Sequence, residues 1–321
     1  MKVVILDDYQ EAVKNLNCFA LLKEHEVTIV QNLNSISPES FAKLKEAEVL
    51  VLIRERTKIT ESFLSNLPNL KLISQTGKIA GHIDLDACKK YKVLIAEGIG
   101  SPVAPAELTW ALILNAQRKI PQAIEHMKNG LWQTNIGTTL KGQTLGIWGY
   151  GKIGKKIATY AKAFDMTVQV WGGEKSMTNA EADGFIKAQS KEIFFKTSDI
   201  VSLHLRLVQE TIGIVKLKDL QQMKSESIFV NTSRAELVEK DALIKALKSG
   251  NPGYAALDVY EDEPIFDKEF SLLKMPNVIC TPHLGYVEKN GYELYFSKAF
   301  ENVNYFATGR PENIINLHIL M

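Results

Sequence analysis

Short apolar runs alternate with helix-patterned stretches along nearly the whole chain, in two successive series. In the first, Val3 to Leu6, Val27 to Val30, Val49 to Ile53, Leu70 to Ser74 and Val93 to Ile95 read as strands. Helical patterns lie between them near Glu11 to Leu22, Glu39 to Ala47, Ser62 to Leu67 and Leu85 to Lys90. Repeated strand–helix alternation predicts an α/β fold, with a parallel sheet covered on both faces.

The texture changes near Gly98 to Pro102, where glycine and proline punctuate the chain. A domain crossing is placed here, followed by one long helix from about Ala104 to Met127. The second series then offers six strands: Thr144 to Trp148, Val168 to Trp171, Ile200 to His204, Ser227 to Asn231, Ala255 to Asp258 and Val278 to Cys280. Its helices are expected near Lys152 to Phe164, Ala180 to Ala188, Lys216 to Met223 and Lys240 to Lys248. A last helix from about Gly291 to Ala307 is expected to cross back and complete the first domain. The predicted division is 1–100 with 286–321 for one domain and 101–285 for the other. A chain of 321 residues suits two cores better than one.

Composition removes several function classes. The formal net charge is +1, so no global field favours nucleic acid or a membrane surface. No apolar run reaches spanning length, and the first one is too short for a signal peptide. Cys18, Cys88 and Cys280 are far apart and odd in number, which fits free thiols in a reducing compartment and offers no zinc spacing. A cytoplasmic protein without a metal site is expected; the acidic run Glu261-Asp262-Glu263 lacks complementary ligands.

The chemistry concentrates in the second series. Gly149-Tyr150-Gly151-Lys152-Ile153-Gly154 stands between a predicted strand and a predicted helix, in the G-x-G-x-x-G arrangement. Such a turn brings backbone N–H groups and a helix N-terminus to a pyrophosphate, so a dinucleotide is expected. The acidic residue that usually follows the next strand and binds the ribose is replaced by Gly172. Glu174 could reach the ribose instead, or Lys175 and Ser176 a 2′-phosphate. NAD is the favoured cofactor, with NADP open.

Three residues after later strands complete a reaction set. Arg234 ends Asn231-Thr232-Ser233-Arg234, and its planar fork suits a carboxylate and a developing alkoxide. His283, in Thr281-Pro282-His283, is a candidate acid/base, and Glu263 a candidate for tuning it. Carboxyl ends of strands face the ligand crevice in open α/β sheets. His204 ends a strand on the cofactor side, and Asp258 is a candidate acceptor for a nicotinamide carboxamide. In the first domain, Arg54, Gly77 and Lys78 follow strands and are candidates for holding a substrate carboxylate. His25, His82, His126 and His318 lack such settings and read as structural or exposed.

These blocks together resemble the D-isomer-specific 2-hydroxyacid dehydrogenases, a family that includes D-3-phosphoglycerate, D-lactate, glyoxylate and hydroxypyruvate enzymes. The likeness runs over nearly the whole chain. It includes Arg54 to Thr60, Thr76-Gly77, Ala106-Glu107-Leu108-Thr109, Leu140 to Ile147, the glycine turn, Val201 to Leu205, Asn231 to Arg234, Leu257 to Glu261 and Thr281 to His283. It implies a flavodoxin-like substrate domain and a Rossmann cofactor domain with a cleft between them. It further implies an NAD(P)-dependent interconversion of a small D-2-hydroxy acid and its 2-keto acid. Arg234, Glu263 and His283 would then be catalytic. The glycine turn, Glu174, His204, Leu205, Thr232, Ser233 and Asp258 would contact the cofactor, and Arg54, Thr76, Gly77 and Lys78 the substrate. A homodimer through the cofactor domain and its long helix is also implied.

The chain departs from the family pattern at Gly172, at Arg206 where proline is usual, and at Ile79 where a second glycine is common. It ends soon after the second domain, so a C-terminal regulatory domain is not expected. Formate dehydrogenases carry Gln at the place of Glu263, which argues against formate. A dinucleotide-sensing corepressor-like module, or a dehydrogenase of another small anion such as phosphite, is the alternative reading.

Overall fold

The computed structural model describes residues 1–316, and His318 lies outside them. The chain divides into two compact units: Met1–Ser101 together with the chain from Glu288 onward, and Pro102–Val287.

The first unit opens with β1 (Lys2–Leu6), β2 (Glu26–Ile29), α1 (Pro38–Lys45), β3 (Val49–Leu52), α2 (Glu61–Leu64), β4 (Leu72–Gln75), α3 (Leu85–Lys90) and β5 (Leu94–Ala96). Its strands form one parallel sheet in the order β2-β1-β3-β4-β5. This is the flavodoxin-like order, with its reversal between β1 and β3. Val49–Leu52 is buried along its whole length, as a central strand covered on both faces requires. The expected helix over Glu11 to Leu22 is a correction: the segment forms two short 3-10 pieces, Val13–Asn15 and Asn17–Leu22. Leu16, between the pieces, has extended backbone. The Asp8 carboxylate accepts Ala12 N and Val13 N, a local bond that competes with α-helical pairing.

The second unit contains α4 (Val103–Gln117), α5 (Ile120–Lys128), β6 (Thr144–Trp148), α6 (Lys152–Ala163), β7 (Thr167–Trp171), α7 (Glu174–Ala182), β8 (Ile186–Lys187), α8 (Lys191–Thr197), β9 (Ile200–Leu203), α9 (Leu217–Leu220), β10 (Ile228–Asn231), α10 (Ala242–Ser249), β11 (Tyr254–Leu257) and β12 (Val278–Cys280). The chain then returns to the first unit through α11 (Lys289–Ala307). There α11 packs across the sheet, and Ser74 Oγ donates to Ala299 O at 2.8 Å.

The second sheet is parallel, in the order β12-β11-β10-β9-β6-β7-β8. It has seven strands among the described residues, not the expected six, because the two-residue β8 pairs with β7. The long helix expected over Ala104 to Met127 is broken after Gln117, with Lys119 left-handed at φ 52°. Pro121 explains the break: without an N–H it suits the first turn of a new helix and not the middle of an old one. The helix expected over Ala180 to Ala188 is displaced. α7 ends at Ala182, Gly184 takes φ +84°, and the chain enters β8. The helix α8 occupies a stretch between predicted elements, where no helix is expected from the sequence. Two apolar clusters cover the faces of this sheet, one built on Ile147, Ile157 and Val230, the other on Trp148, Phe194 and Phe229.

Candidate active site

Parallel pairing sends every strand of the second sheet out at one edge. Read across that edge, the residues leaving the strands are His283 after β12, Asp258 after β11, Thr232 to Arg234 after β10, His204 after β9, Gly149 after β6 and Gly172 after β7. From β6 to β12 is four strand spacings, about 19 Å, enough for an elongated ligand laid across the edge. The strand order reverses between β6 and β9, the switch point where such sheets bind nucleotides.

The glycine turn is fitted to this place. Gly149 has φ +102°, and a side chain there would strike His204 O. Gly154 lies so close to Gly149 O that a Cβ would collide with it, which keeps α6 tight on the sheet. At Gly151, by contrast, a Cβ would meet nothing within 4 Å. Gly151 is also the N-cap of α6, and no side chain caps that helix. The open space and uncapped N–H groups fit a pyrophosphate. His204 adds a buried Nδ1 without a hydrogen-bond partner, while its Nε2 lies 3.0 Å from Ser202 Oγ. Burial pushes the His204 pKa down to about 4, so the ring is neutral at pH 7.

Other cofactor candidates are placed less uniformly. Tyr150 turns inward: its hydroxyl donates to Asp183 Oδ2 at 2.9 Å, and its ring stacks edge-on with Phe185. Ile153 packs on the core beneath α6, Lys152 is exposed, and Leu205 lies beside Gly149. Thr232 Oγ1 is 2.7 Å from Thr109 Oγ1 on α4, a partner that the helix start at Ala106 to Thr109 only hinted at. Ser233 Oγ donates to Leu203 O, and Asn231 shapes the turn by accepting Ser233 N and donating to Arg234 O. Glu174 is exposed and paired with Lys187 at 2.9 Å, which holds its carboxyl below the usual range.

The acid/base candidates meet. His283 Nδ1 lies 2.6 Å from Glu263 Oε2, and Glu263 Oε1 accepts Tyr260 N at 2.8 Å. His283 has left-handed backbone, φ 52°. Tyr286, not among the candidates evident from sequence, stands edge-on to the imidazole with centroids 5.4 Å apart. Its signal was only an aromatic three residues after the His. Asp258 is fully buried, and its two oxygens accept from Thr281 Oγ1, Leu284 N and Gly285 N. Arg234 directs one guanidinium nitrogen to Ser233 O at 2.6 Å.

In the first unit, the ends of β3 and β4 are laced together. Arg54, left-handed at φ 54°, donates its N–H to Thr76 Oγ1 and accepts from Gln75 Nε2. Its guanidinium lies where a Gly77 side chain would stand. Lys78 is paired with Glu97 at 2.6 Å, and Glu97 also accepts Ile79 N.

Known proteins agree with this architecture. The family model for the D-isomer specific 2-hydroxyacid dehydrogenase NAD binding domain matches residues 110–285. The chain is 34% identical over 289 residues to the glyoxylate reductase of Thermococcus litoralis, covering 87% of this chain and 86% of that protein. It is 34% identical over 264 residues to the D-3-phosphoglycerate dehydrogenase of Bacillus subtilis, covering 81% of this chain but only 50% of that longer protein. Among solved structures, the phosphoglycerate oxidoreductase of Vibrio cholerae O395 is 54% identical, with a TM-score of 0.91 over 96% of this chain and 99% of that one. The chain belongs to the D-isomer specific 2-hydroxyacid dehydrogenase family and is an NAD(P)-dependent dehydrogenase.

Proposed function

We propose that the protein interconverts a small D-2-hydroxy acid and its 2-keto acid, with His283 as the acid/base group. The observation that carries this reading is the 2.6 Å contact between His283 Nδ1 and Glu263 Oε2. A carboxylate on Nδ1 fixes the tautomer and orientation of the ring and leaves Nε2 to carry the proton that is transferred. In reduction, Nε2 gives its proton to the carbonyl oxygen as that oxygen gains negative charge. The nicotinamide, when bound, supplies the hydride to the carbonyl carbon. Arg234 holds the substrate carboxylate with its fork and favours the developing alkoxide. Arg54, Thr76, Gly77 and Lys78 contribute further substrate contacts. The glycine turn and the α6 N-terminus hold the pyrophosphate, with Thr232, Ser233 and His204 along the same strand edge.

NAD is the principal cofactor in this reading, and NADP is accepted as well. Gly172 presents no carboxylate to repel a 2′-phosphate, and Glu174, two residues on in the chain, is engaged by Lys187. A second copy of the chain covers the apolar surface of α5 and the segment after it. Trp132 is 74% exposed and Ile136 86% exposed, and both line a groove of about 830 Å3 with Met127 and Leu131. Exposed apolar side chains gathered in one groove suit an interface.

The test is cofactor oxidation followed at 340 nm with NADH and NADPH. The panel is glyoxylate, hydroxypyruvate, pyruvate, phenylpyruvate, 2-ketoisocaproate and oxaloacetate, with phosphite and NAD as the outlying reaction. Turnover with a 2-keto acid is expected, and His283→Ala is expected to lower kcat by about 10²-fold or more. Near-normal turnover in that variant would remove His283 from the mechanism.

A further inference from the structure

His283 carries a side chain in the left-handed backbone region, at φ 52°. A residue of that kind stays there only when its surroundings hold it. The segment around it is fastened to one buried side chain. Asp258 Oδ1 accepts Thr281 Oγ1 at 2.7 Å and Leu284 N at 2.7 Å, and Oδ2 accepts Gly285 N at 2.9 Å. The donors lie on both sides of His283 in the chain. Gly285 is held so near that an added Cβ would come 3.3 Å from Oδ2.

Adjacent ties run the same way. Thr281 N donates to Leu257 O, while Thr281 O accepts both His283 N and Tyr260 OH at 3.0 Å. Tyr260 N in turn donates to Glu263 Oε1. The stretch from Leu257 to Glu263 therefore holds both members of the acid/base pair. A carboxylate has about four acceptor positions, and three of Asp258's are taken by its own chain. Burial pushes the Asp258 carboxyl up, while the Thr281, Leu284 and Gly285 donors and the His283 charge oppose that shift.

We infer that Asp258 is a positioning residue: it clamps residues 281–285 and so keeps the His283 ring against Glu263 in its left-handed conformation. This rests on the reading of His283 as the acid/base group. In Asp258→Asn, an amide NH2 would face the Gly285 or Leu284 N–H, donor against donor, and the clamp would open on one side. Thr281→Val removes one of the three donors and keeps the side chain's shape.

The experiment combines proton NMR of the full chain with kinetics. The His283 Nδ1–H signal, assigned by its loss in His283→Gln, reports the contact with Glu263 whether or not His283 is catalytic. In Asp258→Asn that signal is expected to broaden through faster exchange. There kcat should fall by about 10²-fold, while the cofactor Kd, read by NADH fluorescence, changes by less than about threefold. Thr281→Val should move both readouts in the same direction by a smaller amount, and it serves alone should Asp258→Asn fail to fold. An unchanged Nδ1–H signal in either variant would overturn the inference. So would a loss confined to cofactor affinity, the signature of a nicotinamide contact. A broadened signal in a protein whose His283→Ala variant keeps full turnover would leave the clamp standing and sink the acid/base reading instead.

Discussion

His283 and Arg54 are functional candidates that share a cost. Each has φ above +50°, a conformation worth about 1–3 kcal/mol of strain for a residue with a side chain. Their chemical types were readable from sequence because Thr281-Pro282-His283 and Ile53-Arg54 follow apolar strands. Their conformations were not, since the atoms that impose them come from distant positions: Asp258 for His283, Thr76 and Gln75 for Arg54. Glu174 shows the same limit. It is one candidate for the ribose, and it pairs with Lys187 on β8, a partner hidden from the sequence by the helix expected over Ala180 to Ala188. His204 allows a residue-scale test. Its pKa falls from 6.5 to about 4 in the fold, so the unfolded chain takes up a proton that the native one refuses. The stability this neutral ring contributes is present above about pH 6.5 and is lost as the pH falls toward 4. Thermal melts across that range should show Tm falling with acidification in the wild type and a shallower slope in His204→Asn; equal slopes would contradict it.

At the scale of elements, strands were the most legible feature. Runs such as Val49-Leu50-Val51-Leu52 can only be central strands of a covered sheet, and their observed bounds differ by a residue or two. Helices were less so. The apolar pattern passes through Pro121 without a break, so α4 and α5 read as one helix although the proline divides them. The glycine turn was legible because each glycine answers a separate demand. Gly154→Ala should therefore push α6 off β6 and destabilise the fold by about 1–3 kcal/mol, with weaker dinucleotide binding. A denaturant melt and an NADH titration check this; wild-type values in both would count against the packing argument. At the end of β7, Gly172→Asp should restore a ribose acceptor and a repulsive charge. The ratio of kcat/KM for NADH over NADPH should rise by about tenfold or more. An unchanged ratio would place cofactor choice elsewhere.

At the scale of the whole molecule, the switch in texture near Gly98 to Pro102 and the helical pattern after the second series belong to the sequence itself. Two alternating series separated by a glycine–proline stretch predict two units, and the chain divides into compact units after Ser101 and after Val287. Among the described residues, no helix is long and apolar enough to cross a membrane. What the sequence could not show was which apolar residues remain outside. Trp132 and Ile136 are strongly exposed, and the groove they line is the surface assigned to a second copy. Trp132→Glu should convert a dimer to a monomer in sedimentation velocity; a wild-type monomer, or an unaltered dimer in the variant, would refute that assignment. The configuration of the product tests the assignment of the reaction to a D-2-hydroxy acid. With NADH and the best 2-keto acid of the panel, the hydroxy acid formed is resolved on a chiral column. The D-isomer is expected, formed in step with NADH oxidation and lost in His283→Ala. The L-isomer, or NADH oxidation without a 2-hydroxy acid, would contradict it.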